Sequence, residues 1–455
     1  MPKNRLSKFF FPFSFFLFLS SFIFNLSSCQ RSTEPLFNTA NLQLRVLDVS
    51  CTETWLSLKA ELAEKTEQDS SDLKLQLYRN DSLILNKPFT TSDSIVYVDG
   101  LWPNTNYQFL VTIYNGSNLL AKSSTVSATT MDTTSHNFAW KHYLFGDVGT
   151  TSILRDVTVI QNDYNKLEIW AVGEIKTDSG RYNAVHWDEE KRELKKVYFY
   201  LCPNNSSPFQ YPIQSVFAFG KNDVWFARGG SITHWNGSKF IHDCSINQIL
   251  TGSINKIWGT SDKDLYVVGN NGLIAHYDGR QWQRIESGTD LNIYDIWGAR
   301  AENGNYEILC AASKHLEDPL FRRKIFKIEH NHAHEVPTEP IQWGLSSIWF
   351  VPNRKYYAAG DGIFTNYRLS GTPWNIDLFY LSDYYIYRIR GTALNDIYAV
   401  GGCGEFLHFN GLSWKSFLDE QMKYQRQYYS MDVDGNTVVA VGYQGVQALI
   451  TIGIK

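Results

Sequence analysis

The sequence lacks a surplus of charge of either sign: 42 Lys and Arg stand against 46 Asp and Glu, a net charge of −4 over 455 residues. That balance argues against a generic nucleic-acid binder and a supercharged surface. With 43% hydrophobic and 15% aromatic residues the chain is too apolar to stay disordered, and 13 Pro without a glycine period exclude a collagen-like rod. There is no Arg-Gly-Asp tripeptide, no recognisable nucleophile or acid/base pair and no cofactor loop, so no catalytic, cofactor-binding or metal-ligating residue is assigned. Length alone suggests about three domains of about 150 residues, unless a repeat fold takes most of the chain.

The first segment reads as an address. Lys3, Arg5 and Lys8 precede an 18-residue apolar run, Phe9 to Leu26, broken by Pro12, serines and Asn25. A charged start followed by such a run is a secretory signal, although 18 residues also reach the lower limit for spanning a bilayer. Leu26-Ser27-Ser28-Cys29 resembles the bacterial lipobox. The resemblance implies a signal peptide over 1–28, cleavage before Cys29 and diacylglyceryl transfer to its thiol, with secretion without lipid and a retained span as alternatives. Each buried CH₂ of an acyl chain contributes about 0.8 kcal/mol, so several chains hold a protein on a membrane. The membrane is then the first partner, and the location is the cell envelope, at the outer membrane, facing periplasm or surface. Removal of 1–28 takes three basic residues and no acidic ones, giving a mature net charge of −7 and no case for nucleic acid.

Residues 29–39 form a short polar tether. From 40 to 131, runs such as Leu73-Lys74-Leu75-Gln76-Leu77 and Gln108-Phe109-Leu110-Val111 alternate with period two between Asn-, Asp- and Gly-rich breaks. This predicts an antiparallel sandwich. Leu101-Trp102-Pro103-Asn104-Thr105-Asn106-Tyr107 resembles the fibronectin type III segment whose tyrosine forms a corner between strands. That family's core tryptophan falls near Ala60, whereas this chain carries Trp55. The resemblance implies a spacer or binding module.

Residues 136–455 carry a repeat. Asp264-Leu265-Tyr266-Val267-Val268-Gly269 with His276-Tyr277-Asp278-Gly279 and Trp282 recurs as Asp396-Ile397-Tyr398-Ala399-Val400-Gly401 with His408-Phe409-Asn410-Gly411 and Trp414. Weaker copies begin near Glu168, Asp223, Glu307, Tyr356 and Thr437, making seven in all, spaced by about 41 residues with the first and fourth copies longer. Short strands at this period predict β-propeller blades. The fold class is therefore all-β: a fibronectin type III-like sandwich plus a seven-bladed β-propeller. The last copy lacks room for an outer strand, and Phe138 to Phe145 is expected to supply it and close the ring. The repeat resembles bacterial propellers of the photosystem-assembly-factor and BNR type, without the sialidase Asp-box or a discernible arginine triad.

Little candidate chemistry remains. His330, His332, His334 and Glu335 form a metal-like cluster, but register places His332 and His334 on the solvent side of an outer strand. His186, His234, His276 and His408 recur at one blade position, which points to packing. Cys202 and Cys244 lie one blade apart, too far for a disulfide, and Cys51 is expected inside the sandwich. The loops leading into the last blades carry Tyr380, Tyr384, Tyr385, Tyr424, Arg426 and Tyr428, residue types favoured at binding surfaces. These six form the expected ligand rim. The sequence thus supports a lipid-anchored envelope protein whose propeller is a non-enzymatic platform for an unknown protein or glycan. The alternative is a glycan-acting hydrolase or lyase with its site in the propeller funnel.

Overall fold

The computed structural model describes residues 38–63, 73–89, 93–161, 167–188, 191–200, 208–314, 322–422 and 424–455. The expected signal peptide, most of the tether, Cys29 and Cys202 lie outside the described residues.

The N-terminal unit is a sandwich. One sheet has the order β1 (Asn38–Val49), β2 (Thr54–Ala63), β5 (Asp93–Val98). The facing sheet runs β4 (Ser82–Pro88), β3 (Leu73–Arg79), β6 (Asn106–Asn115), β7 (Asn118–Lys122), with β8 (Val126–Thr129) also on β6. Alternate residues Leu56, Leu58 and Ala60 on β2 meet Leu75, Leu77, Phe109 and Val111 across the core, as period-two patterning requires. The tyrosine corner is present, with Trp102 N donating to the Tyr107 hydroxyl at 2.9 Å. Trp55 alternates to the other side of β2, outside this core, and packs on Tyr97 with ring centroids 5.6 Å apart.

Among the described residues the remainder is a ring of seven antiparallel sheets, four-stranded except the fifth, which has three strands, with a two-stranded pair of Phe199–Tyr200 and Pro208–Phe209 after the first. The seventh is completed by β9 (Ala139–Phe145), which pairs with the final strand from Ala448 to Ile454 and joins the two ends of the ring. Seven apolar clusters fill the seven seams between blades. Each second strand feeds two of them: Ile169 and Ala171 face the last blade, Trp170 and Val172 face the second. Continuous apolar runs follow because both strand faces are covered.

The repeated glycines mark close approaches. A Cβ on Gly298 would sit 2.2 Å from the Trp258 ring of the preceding blade. One on Gly269 would sit 2.1 Å from the Ser253 carbonyl oxygen of the neighbouring strand. That second contact lies beside a β-bulge between Ile254 and Lys256.

The sandwich does not hang free. Asp48 accepts from Arg354 Nε at 3.2 Å, and Glu53 pairs with Lys355. Tyr97 stacks on Tyr367 at 4.5 Å and 5°, and Arg368 Nη2 donates to the Ile95 carbonyl at 3.0 Å. In blade 6 the Asn395 amide donates to the Asp132 carbonyl at 2.8 Å, and Thr134 N donates to the Asn410 carbonyl at 3.0 Å. Cys51 lies in this joint and not in the sandwich core, its thiol donating to the Asp132 carbonyl at 3.1 Å beside Gly411. Burial raises its pKa to about 11, so it is a thiol and not a thiolate at neutral pH.

Cys244 is disulfide-bonded to a cysteine outside the described residues, and the expectation about Cys202 falls on a residue outside the described ones. After blade 1 the chain crosses onto blade 2, where the Tyr200 ring lies 5.5 Å from His242.

Candidate functional site

The inner strands begin with one four-residue pattern: an apolar residue, a variable one, a polar one, an apolar one. It reads Leu154-Arg155-Asp156-Val157, Ile213-Gln214-Ser215-Val216, Ile254-Asn255-Lys256-Ile257, Ile293-Tyr294-Asp295-Ile296, Leu345-Ser346-Ser347-Ile348, Ile386-Tyr387-Arg388-Ile389 and Tyr428-Tyr429-Ser430-Met431. In six of these seven strands a register shift falls at the variable residue. A bulge re-aims side chains. The two central positions of the pattern therefore form two stacked layers at one end of the channel.

The lower layer is a plug. Asp156 accepts from Ser215 Oγ at 2.7 Å, Val216 N at 3.0 Å, Lys256 Nζ at 2.6 Å and Ser430 Oγ at 2.7 Å. Asp295 accepts from Ser347 Oγ at 2.5 Å, Ile348 N at 3.1 Å, Arg390 Nη2 at 2.8 Å and Arg388 Nη1. The arrangement occurs twice, Asp-Ser-Lys on blades 1–3 and Asp-Ser-Arg on blades 4–6. In each, the aspartate of one blade takes a hydroxyl and an N–H from the next. Burial opposes ionisation of both aspartates, yet the adjoining cations and hydrogen bonds hold their pKa values below the ordinary carboxylate range. Asp432, one level deeper, is pushed up by burial and accepts Val159 N at 2.8 Å.

The upper layer is a cavity of about 220 Å³. Arg155, Gln214, Asn255, Tyr294, Ser346, Tyr387 and Tyr429 supply one residue per blade, with Tyr385 beside them and Arg388 in the floor. Tyr385, Tyr387 and Tyr429 form an arc, with ring centroids 5.0 and 5.3 Å apart in successive pairs. Burial raises the pKa of all three phenols, which stay protonated as hydrogen-bonding groups. Asn255 is oriented by donating to Asn270 Oδ1 at 2.8 Å and the Ile293 carbonyl at 3.0 Å. Arg155 is exposed and has no acceptor among the described residues. Asp361 is the acidic group that acts on Tyr385 and Tyr387. What this mouth offers is aromatic faces, amides, phenol hydroxyls and a cation.

Of the six expected rim residues, Tyr385 lines the mouth. Tyr380 and Tyr424 are 87% and 82% exposed on the surrounding surface. Tyr384 lies in the same loop, its N–H donating to Ser382 Oγ at 3.1 Å. Arg426 and Tyr428 line a different cavity, in the seam between blades 6 and 7, where Arg426 Nη2 donates to Gln444 at 2.8 Å and Tyr428 meets Thr451 at 2.8 Å. The sequence reading missed Arg155, Tyr294, Tyr387 and Tyr429. The four-residue pattern would have found them.

The recurring histidines form a packing device. His186, His234, His276 and His408 each reach the acidic residue opening the second strand, at 2.8, 2.7, 2.7 and 2.9 Å. Each also stacks on the aromatic residue two positions later in that strand, at 4.1 to 4.7 Å. Blade 4 places Lys327 there, 3.3 Å from Glu307. In the other histidine cluster, His332 turns to the His330 carbonyl at 2.8 Å, and Glu335 pairs with Lys324 at 2.6 Å.

Fold and site together define a seven-bladed propeller with a plugged channel and an aromatic mouth. No family model and no curated protein matches the sequence. Among solved structures, YCF48 bound to D1 peptide aligns with 71% of this chain and 99% of its own, at 16% identity and TM-score 0.49. YCF48 from Cyanidioschyzon merolae aligns at 14% identity and TM-score 0.46 over 70% and 98%. A catalytically inactive virginiamycin B lyase from Staphylococcus aureus with quinupristin aligns at 11% and 0.48 over 69% and 99%.

Proposed function

We propose that this protein is an envelope component, lipid-anchored through Cys29, whose propeller is a non-enzymatic binding platform for a protein segment or glycan seated in the channel mouth. The sandwich then serves as a fibronectin type III-like spacer. The observation that carries this reading is the separation of the two layers. Clustered carboxylates and cations would suit a hydrolase, but Asp156 with Lys256 and Asp295 with Arg390 are bonded to one another and to neighbouring hydroxyls beneath the mouth. What stands open is an arc of protonated tyrosines with amides and Arg155. Rigid aromatic side chains bury much area at low entropic cost, and Tyr and Arg are enriched among residues that dominate binding.

The geometry suits presentation. Mouth residues lie at the starts of the inner strands, whereas the sandwich contacts Arg354, Lys355 and Asn395 beyond their far ends. A seven-residue inner strand such as Leu345–Val351 separates the two by about 23 Å. An anchor on the sandwich side leaves the mouth facing away from the membrane.

The test is an array of envelope proteins and glycans probed with the mature protein and its Tyr387→Ala/Tyr429→Ala variant. The expected result is a ligand whose binding falls at least tenfold in the variant while its melting curve stays within a few degrees. Undiminished binding by the variant, or turnover of a glycoside without any ligand, would overturn the reading. Release of the protein from membranes by Cys29→Ser tests the anchor.

A further inference from the structure

The face opposite the mouth is concave where blades 3 to 5 meet the sandwich. Two cavities, of about 330 and 520 Å³, share Glu307, Lys327 and Asn353 in their walls. Both fall within or near the range of small-ligand pockets, about 300–1,000 Å³. The first lies at the joint between the two domains, a preferred place for ligands, with Trp55 of the sandwich on one side and Tyr367 of blade 5 on the other. The second lies under blades 3 and 4, walled by Asn303, Asn305 and Tyr306.

We propose that these adjoining cavities form one groove for a neutral oligosaccharide, distinct from the channel mouth. Charge is the first argument. Lys327 lies 3.3 Å from Glu307 and 2.7 Å from Glu329, Asp264 is 2.7 Å from His276, and Glu335 is 2.6 Å from Lys324. Glu307 and Glu329 share the one Lys327, and His276 carries charge only when protonated, so the walls hold no positive surplus to draw an anionic ligand. Polar capacity is the second. Glu307 is buried at 7% exposure, takes the Tyr356 hydroxyl at 3.0 Å on Oε2, and lies between the cavities. Asn303, Asn305 and Asn353 add side-chain amides, so the walls carry both donors and acceptors, as sugar hydroxyls require.

The aromatic faces are the third. Tyr306 is 45% exposed over the second cavity, and Tyr367 borders the first, its ring stacked on Tyr97. Such faces suit the C–H side of a pyranose. Trp55 adds an unused donor: it is 1% exposed, lines the first cavity, and its Nε1 has no acceptor among the described residues. Leaving a buried donor unpaired is unfavourable, so a ligand acceptor there would be favoured. The core of the sandwich does without this tryptophan, so its place in the joint reflects something other than packing of that core.

Isothermal titration of the mature protein with maltotetraose, cellotetraose and chitotetraose, and with trigalacturonate as the anionic probe, tests this. At least one neutral tetrasaccharide binds, trigalacturonate binds at least tenfold more weakly, and Tyr306→Ala lowers the neutral affinity at least tenfold. Asn303→Ala, in an exposed turn, lowers it without affecting the fold, and Tyr387→Ala at the channel mouth leaves it unchanged. Failure of all three neutral probes at millimolar concentration, equal binding of trigalacturonate, or unaltered affinity in both groove variants overturns the proposal. Loss on Tyr387→Ala alone would place the sugar in the mouth and also overturn it.

Discussion

Asp295 shows how a single residue fixes the channel. Its carboxylate is fully buried, and desolvation alone would raise its pKa. Arg388 and Arg390 reverse that, and Ser347 and Ile348 N take the remaining lone pairs. Removing one partner of such a set leaves the others buried and uncompensated, at a cost of about 3–5 kcal/mol. Asp295→Asn is therefore expected to lower denaturant stability by that amount, and a loss below about 1 kcal/mol would show the plug to be dispensable. The pH dependence has a definite sign. The folded-state pKa is depressed, so the stabilisation is full above the unfolded value of about 3.9 and is lost as pH falls through the folded value. Acid titration of unfolding should show stability falling below about pH 4, with a shallower fall in Asp295→Asn; identical acid limbs would contradict the assignment.

At the scale of the element, the blade is a device for turning sequence repeats into a ring. At Gly269 the missing Cβ leaves room for the bulge between Ile254 and Lys256, and in six blades such a bulge accompanies the variable residue in the mouth. Trp of one blade lies on Gly of the next, so Gly298→Ala, with its Cβ 2.2 Å from the Trp258 ring, is expected to destabilise the propeller by about 1–3 kcal/mol. An unchanged thermal melt would mean the seam relaxes freely. Closure makes a parallel prediction. Trp140 on β9 packs against Phe406 at 4.8 Å and Phe417 at 5.2 Å, so Trp140→Asp should lower the melting temperature of the whole ring in one transition.

The blades were legible because Asp-x-Tyr, Val-Gly and Asn-Gly recur with their residue types intact. The mouth was not, because its positions change identity from Arg155 to Gln214 to Tyr294, and only their place in the pattern repeats. The loop tyrosines drew attention by composition, yet Tyr428 is 2% exposed in a seam. Its neighbour Tyr429 points into the mouth. A bulge decides between them, and no local propensity announces it.

At the scale of the whole molecule, blade 5 departs from the repeat to hold the sandwich. It has three strands among the described residues, and its second strand opens with Lys355 where five of the other six blades place an acid. Glu53 of the sandwich supplies that acid from 302 positions away. So long a separation explains why the joint could not be read from sequence. Trp55 belongs to the same adaptation, turned out of the sandwich core toward the joint. Glu53→Lys should loosen the joint and lengthen the particle in solution scattering, and Glu53→Lys with Lys355→Glu should restore the compact profile. The joint holds the sandwich on one face and leaves the mouth open on the other.

The most direct measurement is photo-crosslinking in intact cells, with a photoreactive amino acid at position 429 in the mouth or at exposed Lys221 on the opposite face. The account predicts a discrete crosslinked partner from position 429, lost when Tyr387 is also changed to Ala, and none of the same mass from position 221. The same partner captured equally from both positions, or from 429 regardless of Tyr387, would contradict it.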